Sequence, residues 1–224
     1  MNLAVIAPCV YPSTDRVHYL RDSCAKHGVD IKFHGVGEPY ADWRSMLLRY
    51  TIPHMRQLWQ EDYTHVLYVD GIDSLFLAGI AEIQAKYERM DSPAILFSGD
   101  SDIPLSGSQN WHQIGPWKYP NAGGYIGALP SLIVMWEDLE RKNTEEGNYQ
   151  RWIENWKLHR VRIDDRCEIF QAMDGHKAVM PCGERILNAV TGTWPCILHF
   201  RGGFCDPVSG RDERMEPWVE ELGI

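Results

Sequence analysis

The run His65-Val66-Leu67-Tyr68-Val69 ends on Asp70-Gly71-Ile72-Asp73, and this junction restricts the possible folds more than any other stretch. Val66 to Val69 lack the polar alternation of a half-exposed strand, so the run predicts a strand buried on both faces. Leu3 to Ala7 is a second wholly apolar run. Around these two lie helical spacings. Arg16 to His27 carries Val17, Leu20 and Cys24 on one face, with Gly28 placed to end it. Trp43 to Trp59 carries Met46, Leu47, Tyr50 and Leu58, and Pro53 demands a start or a kink inside it. Ile31 to Phe33 and Ala94 to Phe97 read as further strands, and Ile80 to Met90 as a helix. Alternation of this kind predicts an α/β fold.

The pattern then changes. Ser98 to Asn121 is rich in Ser, Gly, Pro, Asp and Trp and has no period, which predicts a long functional or mobile loop. Gly123 to Ala128 reads as a strand. Pro130-Ser131 opens a helix with Leu132, Ile133, Met135, Trp136 and Leu139 on one face. Arg141 to Gln150 reads as a polar turn, Trp152 to Trp156 as a short helix and Asp164 to Met173 as another. The last fifty residues are punctuated by Gly and Pro and read as irregular. There is no repeat or linker, so one domain over 1–205 with an irregular tail over 206–224 is expected.

Composition excludes several classes. The chain has 224 residues, and 22 Lys and Arg against 31 Asp and Glu leave a net charge of −9. A binder of nucleic-acid backbones needs the opposite balance. The N-terminus lacks the basic and apolar regions of a signal peptide, and the longest uncharged apolar stretch is broken by Pro130. A cytoplasmic protein with no membrane span is therefore expected. Cys9, Cys24, Cys167, Cys182, Cys196 and Cys205 show no CxxC spacing, which favours free thiols over a zinc ribbon or disulfides.

Four segments can carry chemistry. Asp70 and Asp73 stand at the C-terminal end of a buried strand, where open α/β sheets bind ligands. Two hard oxygens on one turn suit Mg²⁺ or Mn²⁺, although Asp also caps such turns without any metal. In Asn121-Ala122-Gly123-Gly124, the glycines allow backbone to approach a ligand or simply form a bulge. Asp164-Asp165 can take a proton or anchor a polyol, or can cap a helix. His199 can be a nitrogen ligand or a hydrogen-bonded histidine at a strand end, and Arg201-Gly202 behind it can face phosphate.

Read in order, these segments resemble the GT-A glycosyltransferases, in particular the glycosyltransferase domain of procollagen lysyl hydroxylases and the related procollagen galactosyltransferases. The matching string runs from Asp70-Gly71-Ile72-Asp73-Ser74-Leu75-Phe76 through Ala94-Ile95-Leu96-Phe97-Ser98 to Tyr119-Pro120-Asn121-Ala122-Gly123-Gly124-Tyr125-Ile126-Gly127. It then reaches Asp164-Asp165 and His199. The resemblance implies a Rossmann-like mixed sheet of GT-A type flanked by helices, a UDP-sugar donor, Mn²⁺ or Mg²⁺, and a hydroxyl-bearing acceptor (sugar, polypeptide or modified base). It implies Asp70, Asp73 and His199 as metal ligands. The turn from Ala7 and Pro8 to Thr14 would hold uracil and ribose, and Asn121, Gly123 and Gly124 would line the sugar. Arg201, Gly202 and either Arg44 or Arg49 would serve the donor, and Asp164 and Asp165 would be the catalytic pair. Two departures stand out. Arg166 follows the Asp pair where the family has Gln, and Ala122 replaces a Ser. With neither a hydroxylase domain nor a secretory signal in the sequence, collagen is not the expected acceptor.

Two other functional classes fit the same residues. A metal-dependent nucleotide or phosphoester hydrolase can use the same carboxylates and histidine. A nucleotide-sugar or carbohydrate-binding module without catalysis can use Trp111 and Trp117 if they are exposed; Trp111, His112, Trp117 and Tyr119 either stack on sugar or base rings or pin their loop to the body of the domain.

Overall fold

The computed structural model describes residues 1–101, 115–141, 161–173, 178–200 and 213–224. The expected turn over Arg141 to Gln150, the helix around Trp152 to Trp156, and Trp111, His112, Arg201, Gly202 and Cys205 lie wholly or almost wholly outside them.

The apolar runs become the centre of a six-stranded sheet. β1 (Leu3–Pro8) lies between β2 (Ile31–His34) and β3 (His65–Val69), parallel to both. β3 pairs with the long β6 (Tyr119–Ala128), which is antiparallel to it. β6 also pairs antiparallel with β5 (Ile95–Asp100), and β5 pairs parallel with β7 (Val161–Asp164). The order is β2-β1-β3-β6-β5-β7, with β6 alone reversed. The C-terminal ends of five strands and the start of β6 therefore share one edge, which brings Pro8, Asp70, Asp100, Asn121 and Asp164 to the same side of the molecule.

Helices cover both faces, as the unbroken apolar runs require. On one face α3 (Ile52–Gln60) and α5 (Leu129–Arg141) bury Met55, Leu58, Leu132 and Trp136 against Tyr68, Phe97 and Tyr125. On the other, α1 (His18–Lys26, behind a 3₁₀ turn over Thr14–Val17) and α4 (Ile80–Arg89) pack on Val5, Leu67 and Ile126. A three-stranded sheet joins this second layer, in the order β4 (Ser74–Phe76), β11 (Ile197–His199) and β8 (Phe170–Ala172). A hairpin of β9 (Val179–Cys182) and β10 (Arg185–Asn188) precedes β11. Pro53 produces a local change of helix type. A short helix, α2 (Trp43–Met46), is capped by the Asp42 carboxylate and runs through a π-helical turn at Leu47–Thr51 into α3, with proline in the first turn of α3.

Two expectations need correction. Asp164 to Met173 is not a helix but the end of β7, a turn and β8. Cys167 takes a left-handed conformation at φ 55°, which a helix interior excludes. The Asp164 carboxylate also accepts the backbone N–H groups of Glu168, Ile169 and Phe170 at 2.7–2.8 Å, so no helical ladder forms. The end of the chain is not irregular throughout either. Besides β9, β10 and β11 it contains α6 (Glu216–Leu222), whose Leu222 and the preceding Met215 are buried with Leu75, Leu198 and Phe200. Lys26 of α1 donates to the Leu222 and Gly223 carbonyls at the end of α6.

No helix among the described residues is long and apolar enough to cross a membrane. Cys9, Cys24, Cys167, Cys182 and Cys196 are free thiols.

Candidate functional site

Asp70 leaves the sheet at the end of β3, where its N–H still bonds to the Gly123 carbonyl of β6 at 2.9 Å. The chain turns sharply at Gly71, where a Cβ would overlap the carbonyl of Pro8 in β1. Glycine is required at this point by close packing between strand ends. The turn delivers Asp73 to the start of β4. His199, at the end of β11, stands opposite Ser74 in that small sheet, and the Phe200 N–H bonds to the Asp73 carbonyl at 2.8 Å. Two sheets thus converge on one point.

The three side chains meet there. His199 Nε2 lies 3.5 Å from Asp70 Oδ2 and 3.6 Å from Asp73 Oδ1. One ligand atom from each residue falls within 4.8 Å of the others. Asp73 Oδ1 and both His199 ring nitrogens are buried without a hydrogen-bond partner. Unpaired buried polar atoms are costly, and such atoms aimed at a common point form the donor set of a small divalent cation. Two carboxylates and an imidazole fit Mn²⁺ or Mg²⁺. Burial alone would lower the His199 pKa, but the Asp73 and Asp70 carboxylates outweigh it and raise it to about 10. Burial raises that of Asp73.

β6 makes room for this cluster. Its register with β5 steps from Phe97↔Tyr125 to Ser98↔Asn121, which leaves Ala122, Gly123 and Gly124 unmatched in β5. Bulges of this kind are frequent beside active sites. The bulge carries Gly123 against the cluster, where a Cβ would collide with the His199 ring and stand 2.8 Å from Asp70 Oδ2. Asn121 holds the bulge in place: its Oδ1 accepts the Gly123 N–H at 2.8 Å, and its Nδ2 donates to Asp100 at 3.3 Å. Gly124 faces Phe170 instead, with a Cβ position 2.8 Å from the ring.

A cavity of about 420 Å³ opens beside Asp70, Gly71 and Asp73. Pro8, Val10 and Tyr11 line it from the β1 end, and Tyr40, Trp43 and Met46 line it from the approach to α2 and from α2 itself. The size suits a nucleotide-sized ligand. Of the residues the resemblance assigns to the donor, Pro8 is in the wall, Ala7 is buried behind it, and Thr14 opens the 3₁₀ turn. Arg44 sits in α2 between two lining residues, whereas Arg49 is exposed on the π-helical turn.

The Asp164-Asp165 pair divides into two roles. Both Asp164 oxygens are engaged by the three backbone N–H groups, and burial raises its pKa to about 6. Asp165 is less buried, and its Oδ2 accepts the Gly115 N–H at 3.1 Å. Trp117 is fully buried, which fits the pinning of its loop to the domain and not an exposed sugar-stacking position. Tyr11 falls within the turn from Ala7 to Thr14 assigned to base and ribose, whereas Tyr68, Tyr40 and Trp43 have no site role in the sequence reading. Only Tyr68 carried a local signal, two residues before Asp70 in the same strand.

Comparisons with known proteins bear on the family and the fold. Procollagen-lysine,2-oxoglutarate 5-dioxygenase 1 of Rattus norvegicus is 23% identical over 187 residues, covering 78% of this chain and 26% of the rat protein. The Mus musculus protein of the same name is 26% identical over 149 residues, covering 61% of this chain and 20% of its own length. The match thus spans only about a fifth to a quarter of the length of those relatives. Among solved structures, a glycosyltransferase involved in the glycosylation of the major capsid of PBCV-1 superposes with a TM-score of 0.54 at 10% identity, over 91% of this chain and 94% of the other. The apo structure of the WbbM bifunctional glycosyltransferase superposes with a TM-score of 0.51 at 11% identity, over 90% and 46%. Both share the mixed sheet flanked by helices. Residues 3–204 match the family described as the PLOD GT domain, and the chain belongs to that family of GT-A glycosyltransferases.

Proposed function

We propose that the chain transfers a sugar from a UDP-sugar to a hydroxyl acceptor, with Mn²⁺ or Mg²⁺ held by Asp70, Asp73 and His199. The observation that carries this reading is the convergence of Asp70 Oδ2, Asp73 Oδ1 and His199 Nε2, two of them buried and unpaired, beside a cavity of nucleotide size. The cation, when bound, supplies positive charge against the negative charge that builds on the departing diphosphate.

The chain's own residues do the rest. Tyr11, Tyr40 and Trp43 offer aromatic faces to the base and ribose. Gly71 keeps the turn between Asp70 and Asp73 tight against Pro8, so both carboxylates point to the same place. Gly123 lets the β6 backbone lie directly against His199 and Asp70 with no side chain between them, which fits a sugar-lining role for the bulge that Asn121 braces. Asp165 is the carboxylate of the acidic pair that fits a contact with sugar or acceptor, since both Asp164 oxygens serve the turn. Arg201 and Gly202 come two and three residues after His199 in the sequence and fit a phosphate contact, and Arg44 is better placed for donor binding than Arg49.

The test is UDP release from a panel of UDP-sugars, with and without candidate hydroxyl acceptors, in Mn²⁺ and in chelator. Sugar transfer that needs the metal supports the reading. Donor cleavage that no acceptor accelerates and no sugar product accompanies would point to the hydrolase instead.

A further inference from the structure

We propose that Tyr68 is a positioning residue for the metal centre: its hydroxyl fixes the Asp70 carboxylate so that one oxygen is held back and the other faces the cation. The proposal rests on the metal reading above and adds a residue to it.

The three ligands are not equally constrained. The side chains of Asp73 and His199 are only 8% and 4% exposed, so packing fixes them, whereas that of Asp70 is 30% exposed. A carboxylate at a strand end with that much solvent access samples several rotamers unless something holds it. Tyr68 supplies the hold. It sits two residues earlier in β3, and its hydroxyl donates to Asp70 Oδ1 at 3.0 Å. Oδ2 is thereby left toward His199 Nε2.

The donor is itself immobile. Tyr68 pairs with Tyr125 across β3 and β6, and the rings stack with centroids 4.5 Å apart and planes 6° from parallel. Tyr125 packs in turn on Trp136 at 5.5 Å and Phe97 at 5.6 Å. A column of buried aromatics thus sets where the hydroxyl stands, and the hydroxyl sets where the carboxylate points. Burial and the nearby Asp70 carboxylate keep the phenol protonated, so it remains a donor. Groups that orient metal ligands in this way change metal affinity by about 10- to 100-fold when removed.

The experiment is titration of Mn²⁺ into the full chain, followed by the electron paramagnetic resonance signal of free Mn²⁺, alone and with UDP present. Wild type, Tyr68→Phe and Tyr125→Phe are compared. Both substitutions remove one buried hydroxyl from the same stacked pair, but of the two hydroxyls it is that of Tyr68 that hydrogen-bonds to Asp70. The expected result is about tenfold or greater loss of Mn²⁺ affinity in Tyr68→Phe, with Tyr125→Phe close to wild type and the thermal midpoints of the two variants similar. Equal Mn²⁺ affinity in wild type and Tyr68→Phe would overturn the proposal while leaving the metal reading intact. An equal loss in Tyr125→Phe would overturn it too, because packing rather than the hydroxyl contact would then be responsible. Absence of saturable Mn²⁺ binding to wild type, with or without UDP, would overturn the metal reading and this proposal with it.

Discussion

Adding a single methyl group at Gly123 should abolish the site while leaving the fold standing. A Cβ there stands nearer to the His199 ring than the 3.0 Å that real Cβ atoms keep, and 2.8 Å from Asp70 Oδ2. The backbone cannot retreat easily, because the Gly123 carbonyl accepts from Asp70 N–H and its own N–H donates to Asn121. The imidazole must therefore withdraw by roughly 1 Å, and a displacement of that size at a reacting centre costs about 10²-fold in rate. Overpacking of this kind costs about 1–3 kcal/mol of stability. In a chain of this length, each kcal/mol lowers Tm by about 2–4 °C. Gly123→Ala should thus melt a few degrees lower, retain its far-ultraviolet circular dichroism, and lose Mn²⁺ binding and UDP release together. Wild-type Mn²⁺ affinity and turnover in Gly123→Ala would refute the placement of His199 against the bulge.

Other substitutions and conditions separate binding, folding and protonation. Because the Asp73 and Asp70 carboxylates, outweighing burial, raise the His199 pKa to about 10, a proton competes with the cation at all lower pH. Mn²⁺ affinity should then rise about tenfold per pH unit between roughly pH 7 and 9, with one proton released per ion bound; pH-independent binding measured by calorimetry in buffers of different ionisation enthalpy would contradict this. Trp43→Ala should raise the KM for the UDP-sugar and the Kd for UDP by about tenfold, the loss of one aromatic contact, with kcat little changed. Asp164→Ala strands three backbone N–H groups, two of them buried, and should cost about 3 kcal/mol or more, seen as a lower Tm. Should Asp164→Ala keep its Tm and lose only turnover, Asp164 would be a chemical residue rather than the organiser of the β7–β8 turn.

The sequence made the sheet centre legible because Leu3–Ala7 and Val66–Val69 are apolar on both faces, a pattern only a covered central strand satisfies. Asp70 and Asp73 were legible as a pair because their spacing is local. His199 stood out only through the order of motifs, since nothing near it in the sequence says that β11 will bring it to Asp70. Asp164 misled because an acidic pair before an apolar run has the composition of a helix start. The break comes instead from a left-handed Cys167, a residue type that gives no warning of positive φ. Of the nucleotide-sized cavity, the β1 side falls within the turn from Ala7 to Thr14 that the resemblance assigns to base and ribose, whereas Tyr40 and Trp43 were hidden, because they become its neighbours only in the folded chain.

The central claim is that Asp70 and Asp73, with His199, hold the cation on which sugar transfer depends. The most direct measurement is UDP release from UDP-sugars by wild type and by an Asp70→Asn, Asp73→Asn double variant, each in saturating Mn²⁺ and in chelator. The account predicts release by wild type that chelator abolishes and Mn²⁺ restores, and a loss of about 10²-fold or more in the variant that added Mn²⁺ does not recover. Undiminished release in chelator, or by the double variant, would contradict it.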